Sequence, residues 1–150
     1  MKRFSASVVA VLLLFNMLLP YAKCTDTTVE RIDYDDGSYA IVTTTSSGAT
    51  RAQTADSKQY TYYDPLGRKC FFYILYATFT YDGTTSSADS STAEAGIYRD
   101  WSVDSHSEYT CGRTAYGNAT FSSPSGGTRP VALTLTCSAN GRVEQTASFS

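Results

Sequence analysis

The chain has 150 residues, with 12 Lys plus Arg against 14 Asp plus Glu, four cysteines and one histidine. That is one domain of ordinary size, and its near-neutral charge disfavours nucleic-acid binding driven by a basic surface. Taking away Lys2, Arg3 and Lys23 with the first 24 residues leaves nine basic against 14 acidic side chains, which further disfavours phosphate and anionic-lipid partners.

Those first residues read as a signal peptide: Lys2 and Arg3 precede an apolar run from Val8 to Leu19, broken only by Asn16 and ended by Pro20. Twelve residues rise about 18 Å as a helix, short of the ~30 Å hydrocarbon core, so the run is not a membrane anchor. A cut after Cys24 puts Ala22 and Cys24 at the small-residue positions and is preferred to a cut after Ala22. A lipid-modified Cys24 is disfavoured because Lys23, not a small residue, precedes it. The expected product is a secreted, extracellular domain over residues 25–150, with no membrane contact after export.

That remainder holds 21 Thr, 17 Ser and 11 Tyr but only two Lys, a usage suited to strands with wet outer faces. Val29 to Tyr34 and Tyr39 to Thr44 flank Asp35-Asp36-Gly37, a first hairpin in which Gly37 supplies the positive φ of a three-residue loop. Ser46 to Gly48 reads as a loop. Gln59 to Tyr63 and Lys69 to Tyr81 flank Asp64-Pro65-Leu66-Gly67, a second hairpin. The run from Cys70 to Tyr76 is apolar on both faces, so cover is expected on both sides. Asp82 to Ser91 reads as a loop, and Ser90 to Gly96 as the one plausible short turn of helix. Thr110 to Phe121 reads as a strand with Cys111, Ala115, Ala119 and Phe121 inward, bent at Gly117 and covered by a bulky neighbour such as Trp101. After a loop over Ser122 to Arg129, Asn140-Gly141 joins Val131 to Cys137 with Val143 to Phe149, the strongest hairpin signal. The expected fold is an all-β antiparallel sandwich, immunoglobulin-like or in a related Greek-key order, with a small β-barrel as the alternative.

Export makes a disulfide plausible, and Cys111 with Cys137 is the favoured pair because both fall on inward positions. A hairpin centred near Gly126 sets Cys137 opposite Ala115, however, so the bond requires a register shift, and the competing reading is of small buried thiols. One histidine and wide cysteine spacing do not resemble a zinc site. Asp33, Asp35 and Asp36 before Gly37 resemble half a calcium loop, but turn chemistry explains them.

Asp104, Ser105 and His106 have the residue types of a serine hydrolase, yet neighbours on a strand point to opposite faces, and no Gly-x-Ser-x-Gly elbow occurs. A glycosidase could draw on Asp82, Asp89, Glu94, Asp100 and Asp104, but no pair is singled out. Neither a catalytic residue nor a cofactor is therefore assigned. Tyr60 and Tyr62 share one face and Trp101 follows Tyr98, so these three rings are candidate contacts for a sugar or a partner protein, against a competing role in the core. Asn118-Ala119-Thr120 fits a glycosylation acceptor that a bacterial exported protein would not normally use.

Tyr62-Tyr63-Asp64, the run from Ala77 to Gly83, Trp101, Gly117-Asn118-Ala119 and the run from Leu133 to Gly141 follow the order of features in a known group. From about Tyr60 to Gly141 the chain resembles small uncharacterised secreted proteins of Gram-positive gut bacteria. That resemblance implies an exported β-sandwich and brings no activity or cofactor. Such proteins often carry a second cysteine soon after the aromatic strand, whereas here Cys70 and Cys111 stand elsewhere, so no cysteine pairing is carried over. The functional expectation is a non-catalytic extracellular binding or surface-associated domain whose ligand is a carbohydrate or a cell-envelope protein. A secreted self-assembling subunit is the alternative, and a small secreted hydrolase comes third.

Overall fold

A computed structural model describes residues 25–50 and 52–149. The expected leader, the expected cleavage site and Cys24 lie outside the described residues. Among the described residues nine strands form two antiparallel sheets. The first sheet holds β1 (Thr25–Asp33), β2 (Tyr39–Thr50), β3 (Gln53–Tyr63), β4 (Lys69–Tyr81) and β5 (Ser86–Ile97). The second holds β6 (Ser102–Cys111), β7 (Thr114–Ser122), β8 (Thr128–Cys137) and β9 (Val143–Phe149).

The sandwich is as expected, and the sheets do not close into a barrel. Its connections correct the expected Greek key: each sheet runs in strict chain order, β1-β2-β3-β4-β5 and β6-β7-β8-β9. Short turns join each strand to its neighbour, so local pairing prevails and no strand has to cross over within a sheet.

Four of these turns repeat one design. In Tyr34–Ser38, Asp64–Arg68, Ser123–Gly127 and Ser138–Arg142 the first amide donates to the fifth carbonyl, and the fourth amide donates back to the first carbonyl. The fourth residue is glycine each time, with φ of 82°, 73°, 88° and 83° at Gly37, Gly67, Gly126 and Gly141. A three-residue hairpin loop needs one left-handed residue at that place, and only glycine takes it without strain. Asn140 keeps a negative φ, so the last hairpin uses this longer loop rather than a two-residue Asn-Gly turn.

The passage between sheets is different. Tyr98 to Trp101 closes through the Trp101 amide on the Tyr98 carbonyl, with Arg99 and Asp100 both at positive φ. Two successive left-handed residues are the signature of a tight mirror-image turn.

Alternation along β4 sends Phe71, Tyr73, Leu75, Ala77 and Phe79 inward, where they meet Ala115, Ala119 and Phe121 of β7 and Val131, Leu133, Leu135 and Cys137 of β8. Gly117 makes no bulge. A Cβ there would lie 3.0 Å from the Tyr73 hydroxyl and 3.2 Å from Leu75, so the glycine lets β4 side chains descend onto β7. Those two residues, with Phe71 stacked on Phe121 at 4.0 Å, cover β7 in the place expected for Trp101. The Tyr73 hydroxyl donates toward the carbonyls of Ser107 and Asn118 at 3.1 and 3.3 Å, and burial, with Glu108 nearby, leaves it pushed up to about 12.

Three expected loops and helices become strand. Ser46 to Gly48 belong to β2, and most of Asp82 to Ser91, with all of the expected helical turn at Ser90 to Gly96, belongs to β5. Ala93 and Ala95 pack on the core there, so tertiary burial overrides their helical preference. The expected strand from Thr110 to Phe121 is split by a turn at Gly112, with φ 58°.

That turn removes the expected Cys111–Cys137 bond. Cys111 pairs with Thr114 across the tight hairpin and is exposed, whereas Cys137 is buried between the sheets. Side chains on opposite sides of a sheet cannot be bridged. Cys70, Cys111 and Cys137 are all free, and burial holds the Cys70 and Cys137 thiols above the ordinary range.

Carboxylates secure several turns. Asp82 accepts from the Thr85 and Thr84 amides at 2.6 and 2.8 Å, Asp64 from the Arg68 guanidinium at 2.6 Å, and Asp36 from the Ser38 hydroxyl and amide. These donors hold all three below the usual carboxylate range. A folded-state value below the unfolded one contributes stability above the ordinary carboxylate pKa, and that stability is lost as pH falls through the folded value. The thermal midpoint should therefore drop as pH falls below about 4, the ordinary carboxylate value. Asp82→Asn should flatten the drop, measured by circular dichroism.

Candidate ligand-binding face

The same alternation that fills the core lays hydroxyls on the outside of the five-stranded sheet. Cross-strand register aligns Thr45, Ser57, Tyr76 and Thr92 in one row, and Ser47, Ala55, Thr78 and Ser90 in the next. Neighbours in a row are about 4.8 Å apart and the rows about 6.8 Å. Together they line a groove of about 280 Å³. Within it the Thr78 and Ser90 hydroxyls share a 2.7 Å hydrogen bond, and Ser47 donates to the Ala55 carbonyl at 2.6 Å. Tyr76 is 44 % exposed and is the one aromatic ring among the described residues that line the groove.

Further along the same face an aromatic ladder crosses the sheet. Tyr39 and Tyr63 stack at 4.8 Å with planes 7° apart, and the Arg31 guanidinium lies 3.8 Å from the Tyr39 ring centre. Lys69 lies about midway between Phe72 and Tyr98, 5.1 and 4.9 Å from their ring centres. Arg31 also pairs with Asp33 at 2.8 Å. On the outer side of the two-sided run on β4, Phe72 and Ile74 are covered by their neighbours while Tyr76 stays open. Ile74 is buried, and Phe72 lies directly over Gly96 of β5.

The aromatic residues expected to touch a ligand are elsewhere. Tyr60 and Tyr62 are 1 % and 4 % exposed, so they carry the core role instead. The Tyr60 hydroxyl bonds that of Tyr34 at 2.8 Å, and burial raises its pKa far above the phenol range. Tyr62 stacks on Phe71 at 5.2 Å and accepts from Arg129 at 3.2 Å. Trp101 is half-buried, packed on Tyr62 and Phe71 at 5.5 and 5.0 Å. The structure therefore gathers all three at one end of the core. Tyr76 was missed although its parity marks it, since it shares a face with Thr78 and Thr80.

The polar groups weighed for catalysis are dispersed. Asp104 accepts from Ser122 and Ser102, while His106 faces Glu108 at 4.0 Å. Asp89 accepts from Thr80, and Asp82 is committed to its own turn. Asp36 serves its turn in the manner expected of Asx chemistry. Among the described residues no group of three or more His, Cys, Asp or Glu is placed to hold a metal.

Fold and face together define an antiparallel β-sandwich with a hydroxyl-rich outer groove. The chain matches no protein-family model, no curated protein and no solved structure.

Proposed function

We propose that this is an exported, non-catalytic glycan-binding domain that takes a sugar chain on the outer face of its five-stranded sheet. The observation that carries this reading is Tyr76, an exposed ring in a groove otherwise lined largely by serine and threonine hydroxyls. A phenol ring stacks on the apolar C–H face of a pyranose, and flanking hydroxyls exchange hydrogen bonds with the sugar's own. Among the described residues the groove lining includes no cationic side chain, which suits an uncharged sugar better than a phosphate. Self-assembly, motivated by the two-sided apolar run Phe71 to Tyr76, is the weaker alternative, because on its outer side Phe72 and Ile74 are covered and Tyr76 alone is open.

A glycan array and a cell-wall pulldown test the proposal. Tyr76→Ala should weaken binding about tenfold, the equivalent of ~1.4 kcal/mol, and leave the melting curve almost unchanged because the ring is half in solvent. Undiminished retention of the variant, or no retained glycan with the parent, would overturn it.

A further inference from the structure

On the outer face of the five-stranded sheet, the row beside that of Tyr76 holds Thr43, Gln59, Ile74 and Glu94, set opposite one another by cross-strand register. Alternation on β5 turns Glu94 to the same side as Thr92 and Ser90 of the groove, and it is exposed. Its own row offers the carboxylate nothing. Ile74 opposite it is buried and apolar, and the Gln59 carboxamide donates to the Thr61 hydroxyl at 3.0 Å. Among the described residues Glu94 has no ion-pair or hydrogen-bond partner. Two cations on this face are engaged elsewhere, Lys69 between Phe72 and Tyr98 and Arg31 with Asp33 and Tyr39. Tyr76 pairs with Thr92, so Glu94 is its diagonal neighbour across the strands. Such neighbours are about 7–8 Å apart, within reach of long side chains and of aromatic rings. An open ring and an open carboxylate thus stand at adjacent places on the rim of the groove.

We propose that the sugar chain taken here is an amino glycan, with a free ammonium group held by the Glu94 carboxylate beside the Tyr76 ring. The inference rests on the glycan reading above and narrows its ligand class. A pyranose lying on Tyr76 projects its equatorial substituents along the sheet, so a substituent of that same ring meets Glu94. An ammonium offers the carboxylate a hydrogen bond together with its full opposite charge, whereas a hydroxyl offers the hydrogen bond alone. The phenol ring adds a cation–π attraction that a neutral substituent lacks. Acetylation of the amine removes both gains, and a uronic acid would set a second carboxylate against Glu94. The serine and threonine hydroxyls of the groove then serve the uncharged remainder of each sugar.

An array of matched glycans tests this, with glucosamine and galactosamine oligomers each printed in free-amine and N-acetylated form and read at mildly acidic pH, where the sugar amine is protonated. The parent protein should retain the free-amine member of a pair about tenfold more tightly, the sum of an exposed ion pair and a cation–π contact. Glu94→Gln should abolish that preference and leave the melting curve unchanged, because the side chain is exposed. Glu144→Gln removes the same charge from an exposed position on β9 of the other sheet and should keep the preference, which separates a local partner from the overall negative charge. Equal retention of both members by the parent, or equal losses for both in Glu94→Gln, would overturn the inference and leave glycan binding through Tyr76 standing. A preference lost equally in Glu144→Gln would overturn it too, as an effect of net charge. No retained glycan of any kind would overturn it together with the reading on which it rests.

Discussion

Phe71→Ala is expected to cost about 3–5 kcal/mol, the range for removing a fully buried aromatic ring from a packed core. Phe71 is fully buried at the crossing of both sheets. It stacks on Phe121 at 4.0 Å and on Tyr62 at 5.2 Å, with Tyr60 at 6.0 Å and Trp101 at 5.0 Å. No neighbour can collapse into the space, because Tyr62 is held by Arg129 and Tyr60 by Tyr34. A domain of this size has about 5–15 kcal/mol in all, so the variant should be near its unfolding threshold at growth temperature. Urea titration should show a lower midpoint with an unchanged slope. Phe72→Ala supplies the contrast, since that ring faces outward over Gly96 and should cost much less. Equal losses for the two would contradict the inward and outward assignment of β4.

That assignment shows where the sequence was legible. The period of two on β8 identified Val131, Leu133, Leu135 and Cys137 as inward, and all four are buried. The expected hairpins at Gly37, Gly67 and Gly141 all form, because the glycine that permits the turn is itself the signal. On β5 no such signal exists. Ser, Thr and Ala there are chosen by what lies opposite them: Ala93 and Ala95 meet the core and Gly96 makes room for Phe72.

Aromatic residues misled for a related reason. Parity with Thr78 and Thr80 marks Tyr76 as outward, whereas Tyr60 alternates with Thr61 on a hydroxyl-rich strand and is covered only because a second sheet is laid over its face. The burial of Asp56 and Lys58 was hidden likewise, since Asp-Ser-Lys alternation resembles a solvated strand until another sheet is laid over it. Strand order depends on long-range choice too, and the consecutive meander could not be told from a Greek key by turn residues alone.

Gly141→Val carries the second large effect, about 2–5 kcal/mol, from two separable causes. The first is conformational: φ at Gly141 is 83°, where a β-branched residue is strained. The second is steric, for a Cβ would stand 2.4 Å from Cζ of Tyr81 and under 3 Å from two further ring atoms. Yielding is difficult because this turn is where the sheets meet at that end. The Gly83 amide donates to the Ala139 carbonyl at 2.9 Å, and Ser86 donates to the Cys137 carbonyl at 2.7 Å. Gly83 separates the causes, since it has φ 89° with nothing within 4 Å of an added Cβ, so Gly83→Val should show the conformational part alone. Adding Tyr81→Ala to Gly141→Val should then recover part of the loss. Its coupling energy, read from a double-mutant cycle of urea midpoints, should be about 1 kcal/mol or more, and strict additivity would leave backbone strain as the whole cost.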